Sequence, residues 1–279
     1  MIMKVKDLTL LLIAGGKSSR FGGEPKMLSK IGPNEETLFE MSICQMMYHI
    51  PIVQIHVVVN KENKDKIIEE VKRVNQKHDI CKNITFNIQE IPGFRSKPWG
   101  TADAVSSAKG HIHTPFLLLN SDDLYDSKTF QLIGEKCDLS KNYIIGFTLG
   151  STLSGNQKAN RAFISVDKEG KVIELQEKLN IERDYYNKYD LENQYVSVNL
   201  LLLQPSVLSS MDHELNEFKS QHIEDATTEA LLPNFLNSLM KQDILTMELF
   251  KTSGQWNGVT YKDDVQSVRE AFLSPRKEN

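Results

Sequence analysis

Residue types that bind phosphate lie close together near the start of the chain. Residues 15–23 read GGKSSRFGG, with four glycines and two cations in nine positions. Glycine lets a backbone adopt positive φ and lets other groups approach closely, so successive N–H groups can point at one anion. Arg20 and Lys26 add the fixed positive charge that such an anion needs. This stretch predicts a phosphate-binding loop at the end of a strand.

The loop carries neither of the two commonest nucleotide-binding fingerprints. Because it contains neither Gly-x-x-x-x-Gly-Lys-Ser/Thr nor Gly-x-Gly-x-x-Gly, a Walker P-loop and a dinucleotide motif are both excluded. The alternative interpretation is an ordinary mobile surface loop between a strand and a helix. The loop residues by themselves leave these two interpretations open.

A second candidate is the acidic pair Asp122-Asp123, which follows an apolar run predicted as the buried strand Pro115–Asn120. Carboxylates at the carboxyl end of a buried strand lie at the edge where α/β proteins bind ligands. Mg²⁺ takes one or two carboxylates together with phosphate oxygens and water. Either aspartate could instead cap the helix that begins near Ser127 or turn the chain.

A third candidate is the start of the short helix predicted at Thr101–Ala108. The small residues Gly100 and Ala102 would let a flat ring press against the backbone, and Thr101 offers a hydroxyl and an N–H group to a base or ribose. The alternative is a simple helix start with Thr101 as its cap, and both interpretations can hold together.

Composition limits the class of protein. The 279 residues are 40% hydrophobic and 25% charged, with a net charge of −4. This composition favours an ordinary globular protein without a nucleic-acid or membrane partner. No apolar run reaches the ~20 residues of a membrane span, and the N-terminus shows no signal-peptide pattern. Three scattered cysteines favour reduced thiols. We therefore expect a cytoplasmic location.

The pattern of elements predicts the fold. In the first half, β-branched runs alternate with amphipathic helices, which indicates βαβ units and a parallel sheet. In the second half strands dominate, including Val172–Gln176 and Tyr195–Leu203, and a helix is predicted at Thr227–Lys241 with a restart or kink at Pro233. We expect an α/β fold with a doubly wound, mostly parallel, Rossmann-like sheet and a mixed β-rich lobe in the second half.

The motifs together resemble those of the nucleotidyltransferases that activate sugar phosphates. That family opens with a strand, a glycine-rich loop, an arginine and a Pro-Lys pair, and it continues with a Gly-Thr-Ala helix start and a strand that ends in a metal-binding aspartate. The matching residues are Ala14-Gly15-Gly16, Arg20, Pro25-Lys26, Gly100-Thr101-Ala102 and Asn120-Ser121-Asp122. This chain departs from the family pattern at Ser121, where Gly is usual, and at Asp103.

Further matches follow in the family's order. Glu177-Lys178 resembles a Glu-Lys pair that meets sugar hydroxyls and phosphate, and Asn199 resembles an asparagine on the strand that lines the sugar pocket. The segment Trp256–Tyr261 with Asp263-Asp264 resembles a late segment where a second carboxylate can join the metal. Each match alone is explained as well by a surface charge pair, a core residue or a helix cap. Their number and order favour the resemblance.

The resemblance implies transfer of a nucleotide from a nucleoside triphosphate to a sugar 1-phosphate with release of pyrophosphate, assisted by Mg²⁺. It implies one domain over residues 1–279, with a nucleotide-binding half (1–140) and an acceptor-binding half (141–279). A homo-oligomer is compatible with it.

The implied catalytic residues are Arg20, Lys26 and Asp122, and the implied metal ligands are Asp122 and Asp264. The implied nucleotide-binding residues are Ala14, Gly15, Gly16, Lys17, Ser18, Ser19, Gly100 and Thr101. The implied acceptor-binding residues are Glu177, Lys178 and Asn199.

Two alternatives share the loop motif. One is a cytidylyl- or guanylyltransferase that acts on phosphocholine, methylerythritol phosphate or molybdopterin. The other is a non-catalytic subunit that binds a nucleotide sugar. The long second half with Glu177-Lys178 favours sugars, and retention of Arg20, Lys26 and Asp122 argues against a sensor.

Overall fold

The computed structural model describes residues 7–16, 21–153, 159–181, 190–259, 265–266 and 268–269. The strands in this part of the chain are β1 (Thr9–Ala14), β2 (Gln54–Val59), β3 (Asn83–Ile88), β4 (Phe116–Asn120), β5 (Asp123–Tyr125), β6 (Tyr143–Thr148), β7 (Ala159–Val166), β8 (Val172–Ile181), β9 (Tyr195–Ser197), β10 (Leu201–Leu203), β11 (Glu248–Lys251) and β12 (Trp256–Gly258). The α-helices are α1 (Leu38–Met47), α2 (Lys64–His78), α3 (Thr101–Ser106), α4 (Ser127–Lys136), α5 (Ser206–Gln221) and α6 (Leu232–Lys241). None of the helices described has the length and apolar content that a membrane span requires.

One large sheet runs through both halves of the chain in the order β3-β2-β1-β4-β10-β6-β9-β7-β8, and β11 also pairs with β6. Strands β1 to β4 are parallel, whereas β10 is antiparallel to both of its neighbours. Strands β7, β8 and β9 form an antiparallel extension. The predicted α/β fold with a parallel first half and a mixed second half is confirmed. The functional division at residue 140 stays a prediction.

Side-chain alternation along the central strands places apolar groups on both faces of the sheet. In β1, Leu10 and Leu12 belong to the core that includes Phe39 of α1 and Phe130 of α4. Leu11 between them points to the opposite core, which contains residues of α3, α5 and α6. Strands buried on both faces are continuous apolar runs because neither face meets water. The sheet is therefore doubly wound.

Three predicted boundaries in the second half are wrong. Strand β8 continues to Ile181 rather than ending at Gln176, because it pairs with β7 along this length. Consequently Glu177 and Lys178 lie inside a strand. The predicted strand Tyr195–Leu203 is two strands, β9 and β10, since Asn199 adopts a left-handed φ of 61° between them. Helix α6 begins only at Leu232 with Pro233 in its first turn, where proline is tolerated.

A buried carboxylate ties α1 to α2. Glu40 is 1% exposed and accepts hydrogen bonds from Arg73 Nη2 (2.5 Å), Lys77 Nζ (2.7 Å) and His78 Nε2 (2.9 Å). Burial alone would raise the pKa of Glu40, but these donors outweigh burial and lower the pKa to about 2. The ionised form therefore stabilises the fold.

We expect a pH-dependent stability from this carboxylate. Because the pKa of Glu40 is lower in the folded than in the unfolded chain, its contribution is complete above about pH 5 and is lost as the pH falls towards 2. A shift from 4.5 to about 2 corresponds to about 3 kcal/mol. In urea unfolding, Glu40→Gln should be less stable than wild type by about this amount at pH 7, and the difference should shrink by pH 3. The exposed Glu135→Gln serves as the control, and a pH-independent difference for Glu40→Gln would contradict the assignment.

Candidate active site

A cavity of about 270 Å³ opens at the carboxyl edge of the central strands. Strands β1 and β4 pair with Ile13 opposite Asn120, and Ser121 N donates to Ile13 O. The loop after β1 and the acidic pair after β4 therefore start side by side. Residues of β7, β8, β12 and the β9–β10 connection close the cavity from the second half. Its polar and charged lining includes Lys26, Thr101, Asn120, Asp122, Asp123, Asn160, Arg161, Glu177, Ser197 and Asn199.

The described part of the phosphate loop is held by the strand next to β1. Asn60, directly after β2, donates from Nδ2 to Gly16 O at 2.9 Å and to Gly15 O at 3.4 Å. A Cβ atom at Gly15 would lie 2.4 Å from Gln89 Oε1, so this position requires glycine unless Gln89 moves. Ala14 contributes backbone only, because its side chain lies in the core. The predicted residues Lys17, Ser18, Ser19 and Arg20 lie outside the described residues.

Lys26 and Asp122 face each other across the mouth of the cavity. Lys26 Nζ lies 3.1 Å from Asp122 Oδ2, and the two side chains are 19% and 32% exposed. Lys26 begins a one-turn 3-10 helix that follows Pro25, and the next residue, Met27, is anchored in the core. The fold thus brings together two of the three predicted catalytic residues, which are almost a hundred positions apart in the chain.

Asp123 has a different environment from its neighbour. It is buried, and its Oδ2 accepts hydrogen bonds from Asn120 Nδ2 (2.8 Å) and Tyr125 Oη (3.2 Å). Burial first, and the charge on Asp122 second, raise the pKa of Asp123 well above its usual range. Asp123 therefore fixes Asn120 and Tyr125, whereas Asp122 is the more exposed carboxylate of the two.

The donor set at Asp122 fits Mg²⁺. This ion prefers oxygen ligands and is commonly bound by one or two carboxylates plus phosphate oxygens and water. The described residues contain no cluster of three or more His, Cys, Asp or Glu side chains placed to hold a metal. Asp264, the second predicted ligand, lies outside the described residues.

At the start of α3, the space next to Gly100 is filled by another segment of the chain. Gly100 has φ = 116°, and a Cβ there would lie 2.6 Å from Ala230 O. Ala230 N donates to Trp99 O, and Ala102 N donates to Ala230 O. The segment before α6 therefore fills the space on the Cβ side of Gly100, and the nucleotide contact of Gly100 and Thr101 stays a prediction. Thr101 does line the cavity, although its Oγ1 also accepts from Leu232 N at 2.9 Å.

Substitution of Gly100 should destabilise the protein. Gly100→Ala combines an unfavourable φ with a backbone clash at Ala230, and we expect a loss of at least about 2 kcal/mol. Gly93→Ala is the matched control, since nothing lies within 4 Å of the position that its Cβ would take, and it should stay within about 0.5 kcal/mol of wild type. Urea unfolding measures both. Equal stability of the two variants would show that the Gly100–Ala230 contact is loose.

Two of the three predicted acceptor-binding residues lie in the cavity lining. Glu177 and Asn199 line the cavity. Burial raises the pKa of Glu177, against the opposing effect of the nearby Arg161 cation. Lys178 is not among the lining residues, and its ammonium lies 4.2 Å from the ring centroid of Phe163.

Two supporting residues escaped the sequence analysis. Asn60 follows β2 directly and holds the phosphate loop, while Gln89 follows β3 directly and donates from Nε2 to Gly100 O and Asp103 Oδ2. Each is an amide at the carboxyl end of a parallel strand, the position where ligands bind in such sheets. That positional rule, applied to every strand, would have found both.

Solved structures of similar fold cover nearly the whole chain. A putative glucose-1-phosphate thymidylyltransferase from Bacillus anthracis has a TM-score of 0.66 at 13% identity, over 98% of this chain and 98% of that chain. The inositol-1-phosphate CTP transferase from T. maritima has a TM-score of 0.63 at 12% identity, over 96% and 98%. The CTP:phosphocholine cytidylyltransferase from Streptococcus pneumoniae has a TM-score of 0.62 at 12% identity, over 95% and 99%. At these identities the likeness establishes the fold, which is that of nucleotidyltransferases.

Sequence comparison gives the family. The model described as nucleotidyl transferase matches residues 10–259, a span that begins at the second residue of β1 and contains β12 and all the cavity-lining residues described above. No curated protein matches the chain significantly. The chain belongs to the nucleotidyl transferase family, and the resemblance inferred from its motifs is confirmed.

Proposed function

We propose that this protein joins a nucleoside triphosphate to a sugar 1-phosphate and releases pyrophosphate. The observation that carries the proposal is the Lys26–Asp122 pair, 3.1 Å apart, at the mouth of a cavity whose far wall presents Glu177 and Asn199. A charged pair suited to phosphates thus adjoins a polar chamber suited to hydroxyl groups. The Mg²⁺ requirement and the cytoplasmic location are part of the proposal.

The reaction needs positioning and charge neutralisation rather than a covalent intermediate. A phosphate oxygen of the acceptor attacks the α-phosphorus of the triphosphate and forms a new P–O bond. The bond from the α-phosphorus to the bridging oxygen breaks, and pyrophosphate leaves with that electron pair. Because the acceptor phosphate is already an anionic nucleophile, the protein has to align two anions and hold them together.

Lys26 meets the electrostatic demand of this step. Two unit charges 4 Å apart interact by about 4 kcal/mol at an effective dielectric constant of 20, so the repulsion between phosphates is substantial. The Lys26 ammonium, mostly shielded from solvent, would offset it where the two phosphates meet. Arg20 would act on the β- and γ-phosphates.

Asp122 would hold Mg²⁺, which when bound polarises phosphate oxygens and orients an in-line displacement. In the structure the carboxylate is engaged by Lys26. This contact keeps the Asp122 oxygens at the cavity mouth. The same pair therefore positions a cation-binding oxygen and a phosphate-binding nitrogen within a few ångströms of each other.

Glu177, Ser197 and Asn199 would contact the acceptor. They lie on β8, at the end of β9 and in the β9–β10 connection, and all three line the cavity. Asn199 N donates to Ser197 Oγ at 3.1 Å, which fixes the connection that carries Asn199. A carboxylate, a hydroxyl and an amide together offer donors and acceptors suited to a hydroxylated ring.

Release of pyrophosphate tests the proposal. The protein would be incubated with Mg²⁺ and each of four nucleoside triphosphates, in combination with hexose 1-phosphates, inositol 1-phosphate, phosphocholine and methylerythritol phosphate. We expect turnover with at least one hexose 1-phosphate. Turnover only with a non-sugar phosphate would replace the proposed acceptor, and binding of a nucleotide sugar without any turnover would favour a regulatory subunit.

A further inference from the structure

The cavity contains one aromatic side chain among its described lining residues, Trp256 of β12. Its indole ring is covered by a cation of the protein itself: Arg161 Cζ lies 4.5 Å from the ring centroid. Quaternary ammonium groups are recognised mainly by aromatic faces, through the attraction between a cation and the ring quadrupole. Arg161 already occupies that position on Trp256.

Arg161 is firmly held in this place. Its guanidinium donates from Nε to Thr152 Oγ1 (3.1 Å), from Nη2 to Thr152 O (2.5 Å) and from Nη1 to Asn160 O (2.7 Å). Thr152 is itself buried. Displacing the guanidinium from the indole would break two hydrogen bonds to the buried Thr152 and a third to Asn160 O, so a ligand cannot take its place at low cost.

The charge on Arg161 is a second reason why a cationic group is disfavoured at this part of the cavity. Burial lowers the pKa of the Arg161 guanidinium, and the nearby Asp123 and Glu177 carboxylates oppose this effect. The group remains charged, since arginine is not deprotonated in proteins. A cationic acceptor group at the Trp256 face that Arg161 covers would therefore meet a fixed cation, although the Glu177 carboxylate lines the same cavity. Uncharged hydroxyl groups meet no such repulsion and find Glu177, Ser197 and Asn199 in the same lining.

We propose that Arg161 determines acceptor specificity: by covering Trp256 it admits an uncharged, polyhydroxylated phosphate ester and rejects a phosphate ester that carries a quaternary ammonium. This inference rests on the proposed function, because it concerns the acceptor of the same reaction. Arg161 of β7 and Trp256 of β12 would then distinguish between acceptors. The Lys26–Asp122 pair cannot do so, since it would contact only the phosphate groups that all acceptors share.

The test compares wild type with Arg161→Met, which removes the charge and keeps an apolar stem. Calorimetry would measure the binding of phosphocholine and of its uncharged isostere 3,3-dimethylbutyl phosphate in the presence of a non-hydrolysable triphosphate. We expect phosphocholine to bind Arg161→Met at least about tenfold more tightly than it binds wild type, because the aromatic face becomes available. The isostere should change by less than about threefold.

Three controls make the result interpretable. Lys251→Met removes another cation that lies over an aromatic ring, 5.0 Å from the centroid of Tyr195, outside the cavity, and it should leave both affinities unchanged. Arg161→Lys retains the charge and should still reject phosphocholine. If Arg161→Met does not fold, as judged by circular dichroism, Arg161→Gln replaces it with the same expected direction.

Phosphocholine binding tests the role of Arg161, whereas turnover of hexose 1-phosphates tests the proposed function. Equal affinity of phosphocholine for wild type and Arg161→Met would overturn the role of Arg161, even where hexose 1-phosphates are good acceptors. Conversely, the expected gain in phosphocholine affinity without turnover of any hexose 1-phosphate would refute the proposed function and still support Arg161 as the residue that excludes cations.

Discussion

Asp122→Asn is expected to reduce Mg²⁺-dependent pyrophosphate release by about 10²- to 10³-fold, the range seen when a single preorganised electrostatic group is removed from an active site. Asparagine keeps the size of the side chain and much of its hydrogen bonding, but it loses the charge that binds Mg²⁺. Triphosphate affinity measured without metal should stay within about tenfold of wild type, or 1.4 kcal/mol. Steady-state kinetics and calorimetry would provide the two measurements.

Asp126→Asn is the matched control for this variant. Asp126 caps α4 by accepting from Thr129 N and does not line the cavity, and asparagine caps a helix as well as aspartate does. Its kcat should therefore equal that of wild type. Undiminished turnover in Asp122→Asn, or in wild type after chelation of all divalent ions, would refute the proposed role of Asp122.

Lys26→Ala should lower kcat by about 10²- to 10³-fold, since it removes the cation proposed to offset the charge where the two phosphates meet. The fold should persist. Its partner Asp122 is about one-third exposed, and ion pairs of this kind contribute about 0–1 kcal/mol to stability. Equal urea midpoints for the variant and wild type would show that the lost turnover reflects charge and not unfolding.

The pairing with Asp122 predicts non-additivity. If Lys26 and Asp122 act on the same reacting phosphates, the double variant should be only slightly less active than Asp122→Asn alone, because residues that work as a unit do not contribute independently. Lys66→Ala is the matched control: this lysine pairs with the exposed Glu24 and does not line the cavity. Losses that add for Lys26 and Asp122 would argue that the two residues serve separate steps.

The sequence by itself determined the elements that local patterning specifies. Apolar runs and helical periodicity predicted the alternating strands and helices of the first half, and the predicted strand Pro115–Asn120 differs from β4 by one residue. Their alternation predicted the parallel first half of the sheet, because right-handed βαβ connections leave few other arrangements. It also placed Lys26 and Asp122 at one sheet edge, since the carboxyl ends of parallel strands lie at that edge.

Only the tertiary structure decided which partners fill the space around those elements. Gly100 admits Ala230, and Thr101 accepts from Leu232, 131 positions later. In the same way, β7 and β12 bring Arg161 onto Trp256, and β7 supplies the Phe163 ring over which Lys178 lies. Periodicity reports which residues are buried, but contacts between distant segments depend on how strands pair and how side chains compete for one volume.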